Sequence, residues 1–177
     1  MINEWKTDDA FDVIPNLSDN SFEMILTDPP YDFSHDQIDW LHNQFCRVCS
    51  GVIIVFSPWT NPWRPLPDQK LFWTKPVSTK NTSKRYSNFV EEVFIYGVNK
   101  WNTQYHWSNY TNILTDKVDD IRKHNWRKPP AMIERFIKLH SDVGDWILDP
   151  FAGSGVVHDA CILLGRNSLS IEIENCN

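Results

Sequence analysis

Short apolar runs bounded by turn residues alternate along this chain with stretches of helical periodicity, and that alternation constrains the fold more than any other feature. Met24-Ile25-Leu26-Thr27 reads as a buried strand, and Val52 to Phe56, after Gly51, reads as another. Between them Ile38, Leu41, Phe45 and Val48 recur at helical spacing, which predicts a helix over 36–49. Leu71 to Thr74 and Val90 to Tyr96 are further strands, the second closed by Gly97. Trp146 to Leu148 reads as a strand, Val156 to Leu164 as a helix and Leu169 to Ile171 as a last strand. A first strand is expected near residues 2–6, followed by a short helix with Phe11, Ile14 and Leu17 on one face. Another helix is expected to begin near Pro129 or Pro130, since proline suits a first turn. Met132, Ile133, Phe136 and Ile137 form its buried stripe. Pro58, Pro62, Pro65 and Pro67 make 57–70 a loop, and residues 98–125 show no clear periodicity. Such alternation implies a mostly parallel sheet with helices on both faces, which binds ligands at the carboxyl ends of its strands.

The 177 residues, 41% of them hydrophobic, suffice for one domain with a real core, so residues 1–177 are read as a single unit. No apolar run is long enough to span a bilayer, and the start of the chain lacks the form of a secretory signal. A soluble cytoplasmic protein without membrane contact is therefore expected. Cys46, Cys49, Cys161 and Cys176 are too sparse for a disulfide scaffold. Cys46 and Cys49 fall on the predicted helix, with His42 one turn earlier, but no second Cys/His pair completes a zinc site, so no metal is expected.

The net charge of −6 argues at first sight against nucleic acid, yet distribution matters more than the sum. Nine of the 17 basic residues lie in two stretches. One holds Lys75, Lys80, Lys84 and Arg85; the other holds Lys117, Arg122, Lys123, Arg127 and Lys128. Taken alone, such runs are as readily solvated faces as phosphate contacts.

Two motifs carry chemistry. Asp149-Pro150-Phe151-Ala152-Gly153-Ser154-Gly155 lies between a predicted strand and a predicted helix, where small residues let a ligand approach the backbone. Glu172 ends the next strand, 19 residues after Gly153, a spacing at which an acid can accept hydrogen bonds from the ribose of a nucleoside cofactor. Asp28-Pro29-Pro30-Tyr31 ends the strand at 24–27. Its prolines donate no backbone hydrogen bond and hold φ, leaving the Pro29 carbonyl free to accept one. A carboxylate, a rigid carbonyl and an aromatic face suit a planar ring bearing an amino group.

The combination resembles the amino-methyltransferases of DNA, in which Asp-Pro-Pro-Tyr is the catalytic motif and Asp-Pro-Phe-Ala-Gly-Ser-Gly the cofactor motif. The catalytic motif comes first here, the circularly permuted order called the β class. The resemblance implies an α/β, single Rossmann-like methyltransferase domain. Its sheet would be mostly parallel and seven-stranded, with an antiparallel hairpin strand around Glu91 to Gly97. It also implies transfer of a methyl group from S-adenosyl-L-methionine to the exocyclic amine of adenine in double-stranded DNA, with the base flipped out, as in restriction-modification systems. Asp28, Pro29, Pro30 and Tyr31 become catalytic. Asp8, Asp9, Asp28, Lys128, Asp149, Pro150, Phe151, Ala152, Gly153, Ser154, Gly155 and Glu172 become cofactor residues. Lys75, Lys80, Lys84, Arg85, Arg122, Lys123 and Arg127 become candidates for phosphate contact, with Phe33 or Trp59 assisting Tyr31 at the base. Residues 98–123 take the place of a target-recognition insertion, and a homodimer fits the family's habit.

The chain departs from the family in two places. The usual His-Pro-Thr-Gln-Lys-Pro stands here as His124-Asn125-Trp126-Arg127-Lys128-Pro129, and the helix that relatives carry after the position of Glu172 does not follow. The same amine chemistry serves cytosine, whose enzymes usually lead the motif with Ser rather than Asp. RNA and a non-catalytic nucleic-acid-binding role remain alternatives. A dinucleotide dehydrogenase fits less well, since the third glycine of its fingerprint is missing.

Overall fold

The computed structural model describes residues 1–58, 60–75, 90–97, 101–102, 111–116 and 127–174. The strands are β1 (Asn3–Thr7), β2 (Phe22–Thr27), β3 (Cys49–Ser57), β4 (Gln69–Thr74), β5 (Val90–Tyr96), β6 (Ile113–Leu114), β7 (Trp146–Asp149) and β8 (Asn167–Glu172). The helices are α1 (Ala10–Val13), α2 (His35–Val48), α3 (Pro130–His140) and α4 (Val156–Leu164), with a 3-10 turn at Ile14–Asn16. All the strands join one sheet in the order β1-β8-β7-β2-β3-β5-β4-β6. Every pairing is parallel except those of β5, which runs antiparallel to both β3 and β4.

The central strands alternate between two buried faces. Met24, Leu26, Val52, Ile54, Phe56, Val93 and Ile95 face one core, with Met132, Ile133, Phe136 and Ile137 of α3 and Val156, Val157, Ala160 and Cys161 of α4. Ile25, Ile53, Val55 and Phe94 face the other, with Ile38, Leu41, Phe45 and Val48 of α2. This two-sided burial makes the parallel strands nearly continuous apolar runs. Helix α2 opens on a reciprocal cap: Ser34 Oγ accepts from Gln37 N–H at 3.2 Å, and Gln37 Oε1 accepts from Ser34 N–H at 2.9 Å.

Four expectations are corrected. Among the described residues the sheet has eight strands rather than seven, because Ile113 and Leu114, inside the segment expected to be an insertion, pair with Phe72 and Trp73. Two residues are too few to show a period. The helix over 36–49 ends at Val48; Cys49 opens β3 opposite Phe22 and is buried, while Cys46 is exposed on α2. The two thiols therefore do not share a helix face, and no metal-binding cluster exists among the described residues. The loop over 57–70 stops at Asp68, because Gln69 and Lys70 pair with Ile95 and Phe94. The single short helix expected around Phe11 to Leu17 is split, since Pro15 stands within the 3-10 turn.

From β7 the chain passes through α4 to β8 on one side of the sheet centre, and from β2 through α2 to β3 on the other. The strand order thus reverses between β7 and β2, which opens a crevice at their carboxyl ends. Among the described residues, no helix is long and apolar enough to cross a membrane.

Candidate active site

Four parallel strands deliver side chains to this crevice: β2 leads into Asp28, β7 ends at Asp149, β8 ends at Glu172 and β1 leads into Asp8. A cavity of about 610 Å3 is lined by Asp8, Asp9, Asp28, Pro29, Pro30, Tyr31, Lys128, Pro150, Phe151, Gly153 and Glu172, with Ala10, Phe11, Phe33, Gln37 and Ile173 completing its wall. A second cavity of about 320 Å3 shares Asp28, Lys128, Phe151 and Gly153 with the first and adds Thr27, Arg127, Asp149, Ala152 and Ser154. The two motifs, more than a hundred residues apart, therefore meet at one place. Gly155 lines neither cavity; it is the N-cap of α4 with φ 76°, and a Cβ there would lie 3.2 Å from the Trp5 ring.

The glycine loop is held by backbone bonds. Ala152 N–H donates to the Ile171 carbonyl at 2.9 Å and Gly155 N–H to the Ala152 carbonyl at 2.8 Å. Gly153, at φ 49°, donates its N–H to Glu172 Oε2 at 2.6 Å. Glu172 Oε1 accepts from Ile173 N–H at 3.0 Å and from Glu174 N–H at 3.5 Å, so its carboxylate is fixed at the cavity wall. Asp8 N–H donates to the Glu172 carbonyl at 3.0 Å, joining β1 to the same rim. Asp9 caps α1 by accepting from Phe11 N–H at 2.9 Å. Phe11, Phe33 and Phe151 form an aromatic wall, with ring centroids 5.5 and 5.4 Å apart from Phe33.

Two acids stand at the centre. Asp149 is 3% exposed; its Oδ1 accepts from Thr27 Oγ1 at 2.9 Å and from Phe151 N–H at 3.3 Å. Burial pushes its pKa up to about 7 against those hydrogen bonds. Asp28 keeps 31% of its side chain exposed at the cavity, but the surrounding protein still raises its pKa through lost hydration, which outweighs the pull of Lys128. Lys128 Nζ donates to Asp28 Oδ2 at 2.6 Å. Tyr31, 40% exposed, donates from Oη to Asp28 Oδ1 at 3.4 Å.

Behind this pair lies an acid that the sequence placed only within a strand. Glu91 of β5 is 5% exposed; Lys128 Nζ stands 2.6 Å from its Oε1 and Lys75 Nζ 2.5 Å from its Oε2. Lys128 also lies over the rings of Phe56, at 4.7 Å, and Trp73, at 5.8 Å. Burial alone would lower the Lys128 pKa, but the two carboxylates raise it; the two ammonium groups hold Glu91 below its usual value despite burial.

Of the basic residues expected at phosphates, Lys75 is turned toward Glu91, and Arg127 pairs with Asp159 at 3.2 Å. Lys80, Lys84, Arg85, Lys117, Arg122 and Lys123 lie outside the described residues, as does Trp59. Phe33, considered for the base, belongs to the aromatic wall. Beyond Glu91, sequence reasoning missed Phe11, Gln37 and Thr27 as cavity-lining residues; Thr27 stands immediately before Asp28-Pro29-Pro30-Tyr31 and could have been found there.

The sequence matches the DNA methylase family over residues 66–176. The chain belongs to that family. This DNA methylase is 26% identical over 221 aligned positions to the Type II methyltransferase M2.MboI of Moraxella bovis, covering 93% of this chain and 81% of the relative. Its structure superposes on that of the M1.HpyAVI–SAM complex with a TM-score of 0.73 at 25% identity, covering 99% of this chain and 95% of the other. It shares its fold with PvuII DNA methyltransferase (cytosine-N4-specific), at a TM-score of 0.75 and 15% identity over 98% of this chain and 83% of that one.

The family uses S-adenosylmethionine, and the methylase is an S-adenosylmethionine-dependent DNA N-methyltransferase. The site's chemistry fits that donor. The volume of the larger cavity falls within the roughly 300–1,000 Å3 typical of ligand sites. Four carboxylates line it against one lysine, itself paired, which suits a sulfonium cation. The aromatic wall suits a purine, and Glu172 suits ribose hydroxyls.

Proposed function

We propose that this methylase transfers the methyl group to the N6 amine of an adenine flipped out of DNA. The observation that carries the reading is the meeting of Asp28 to Tyr31 with Gly153 and Glu172 around one cavity. When bound, S-adenosylmethionine supplies an electrophilic methyl carbon on a sulfonium. Glu172 and the backbone of Gly153 hold its ribose side, with Asp8 at the same rim and Phe11, Phe33 and Phe151 against the purine. Asp149, Thr27 and Arg127 surround the smaller cavity, which accommodates the amino-acid tail.

An aromatic amine is a poor nucleophile because its lone pair is spread into the ring. Asp28 Oδ1 and the Pro29 carbonyl accept its two hydrogens and favour a pyramidal nitrogen, a preorganised arrangement that stabilises the charge appearing on nitrogen. Tyr31 offers its exposed ring to the base, a stacking contact worth about 1–3 kcal/mol. Flipping is required because the amine is out of reach in a stacked duplex. The proton shed by the methylated nitrogen passes to Asp28, whose raised pKa makes it a better acceptor, or to water. Among the described residues no cysteine lines either cavity, and burial pushes the Cys49 thiol up to about 11 and that of Cys161 up to about 12, far from a nucleophilic thiolate at neutral pH. The leading Asp28 favours adenine over cytosine by the family's pattern, and Lys80, Lys84, Arg85, Lys117, Arg122 and Lys123 of the two basic stretches supply phosphate contacts.

The test is incubation with labelled S-adenosylmethionine and mixed-sequence DNA, followed by nucleoside analysis. N6-methyladenine is expected; N4-methylcytosine would overturn the choice of base, and unlabelled DNA would overturn the reading. Asp28→Ala should lower transfer by at least about a hundredfold, as loss of a preorganised charge-stabilising group does, while calorimetry shows donor binding nearly unchanged.

A further inference from the structure

The series Lys75, Glu91, Lys128, Asp28 runs from the edge of the described structure into the active site, and each member touches the next at 2.5 to 2.6 Å. We infer that Glu91 is a positioning residue for methyl transfer: braced by Lys75, it fixes the Lys128 ammonium against Asp28 Oδ2, so that Oδ1 alone faces the incoming amine. The inference rests on the reading of Asp28 as the group that accepts the amine.

Glu91 and Glu92 are successive residues of β5 and point to opposite faces. Glu92 is half-buried and pairs with Lys70 at 3.0 Å, a contact any surface strand could make. Glu91 instead enters a core otherwise built of Val93, Ile95, Phe56 and Trp73. A buried carboxylate there is costly unless paired, and an apolar residue would fill the space more cheaply. Of its two partners, Lys75 and Lys128, the second carries the pairing on to Asp28. That ammonium has three hydrogens to place, with Phe56 and Trp73 closing off part of its surroundings. Without Glu91, Lys128 would be drawn wholly to Asp28 and could straddle both of its oxygens. With Glu91 in place the cation is divided between two anions, which leaves Asp28 oriented and basic enough to receive a proton. The charged and titratable groups facing Asp28 are Lys128 from the segment before α3, Glu91 from β5, Tyr31 from its own loop and Asp149 from β7.

The experiment follows the Asp28 carboxyl by 13C NMR in the full-length protein, its signal assigned by its loss in Asp28→Asn. Glu91→Gln should move the Asp28 midpoint down by about one pH unit, since it removes a neighbouring negative charge and frees Lys128 to pair fully. Lys75→Met should move the midpoint up, since it leaves the Glu91 charge less compensated, and should do nothing further in the Glu91→Gln background. In transfer assays Glu91→Gln should lower kcat roughly 10- to 100-fold, with KM for the donor within about twofold, as misplacement of a reacting group does. An Asp28 midpoint and a kcat unmoved by Glu91→Gln would overturn the inference. So would a Lys75→Met shift of equal size with and without Glu91. If circular dichroism shows Glu91→Gln unfolded, Lys75→Met alone decides, and an unmoved midpoint refutes. The titration needs neither DNA nor methyl donor. A wild-type protein that transfers no methyl group would therefore sink the functional reading while the coupling of Glu91 to Asp28 was still decided.

Discussion

Asp149 carries a cost that reveals how the crevice is built. Its carboxyl is enclosed at the end of β7 with a threonine hydroxyl and one backbone N–H for company, and its pKa is pushed up to about 7. The folded state therefore holds a proton that the unfolded chain releases near the ordinary value of 3.8. The stabilisation is complete below the unfolded pKa and is lost as pH rises toward 7. Asp149→Asn removes that dependence. Relative to wild type, the variant should gain stability as pH is raised from 5 to 8, by an amount on the order of a few kcal/mol. Denaturant unfolding at the two pH values checks it; a difference between the proteins that stayed constant with pH would show that Asp149 is ionised throughout. The raised Asp28 pKa acts on rate in the opposite sense, since transfer uses its charged form and should climb as pH rises through its titration.

At the scale of elements, the position of Asp28 depends on how β2 lies beside β3. The register between them shifts between Phe22 and Met24, and Gly51 stands at that irregularity. A Cβ at Gly51 would overlap the Glu23 carbonyl, so the two backbones approach as closely as they do only because no side chain is there. Gly51→Ala should cost about 3 kcal/mol, at the upper end of ordinary overpacking penalties, and should lower methyl transfer by displacing the end of β2. Thermal unfolding decides; a variant as stable as wild type would mean that the strands can separate without penalty. Elements with a strong repeating pattern were legible in advance. Val90–Tyr96 and Val156–Leu164 match the expected bounds, closed by Gly97 and by Gly165 at φ 74°. Boundaries set by tertiary pairing were not legible. Cys49 continues the helical spacing of α2 yet belongs to β3, because Phe22 lies opposite to receive it. The site's motif residues were legible because their chemistry is local to two loops. Glu91 was not, because an acid in a strand normally faces water and only the packing of α3 and β4 shows where this one points.

Taken whole, the molecule carries a net charge of −6 and must still meet a polyanion. Acids line the crevice and Lys75, Arg127 and Lys128 are engaged with acids, so attraction falls to the remaining bases of the two basic stretches. Replacing Lys80, Lys84 and Arg85 with glutamine should weaken DNA binding about equally across sequences. It should also reduce the salt slope by about one for each phosphate no longer neutralised. Fluorescence anisotropy over a salt series measures this, and an unchanged slope would place the phosphate contacts elsewhere. The order of the sheet has another consequence. Strand β1 has its partner in β8, and Ile2 N–H is bonded to Asn167 Oδ1, 165 positions later. The half of the crevice bearing Asp28 leans on Lys128 and on strand β7, and the half bearing Asp8 leans on Glu172, so both wait for residues made much later. A polypeptide still leaving the ribosome thus lacks the finished crevice, and an enzyme that marks genetic text stays mute until that later stretch has been translated.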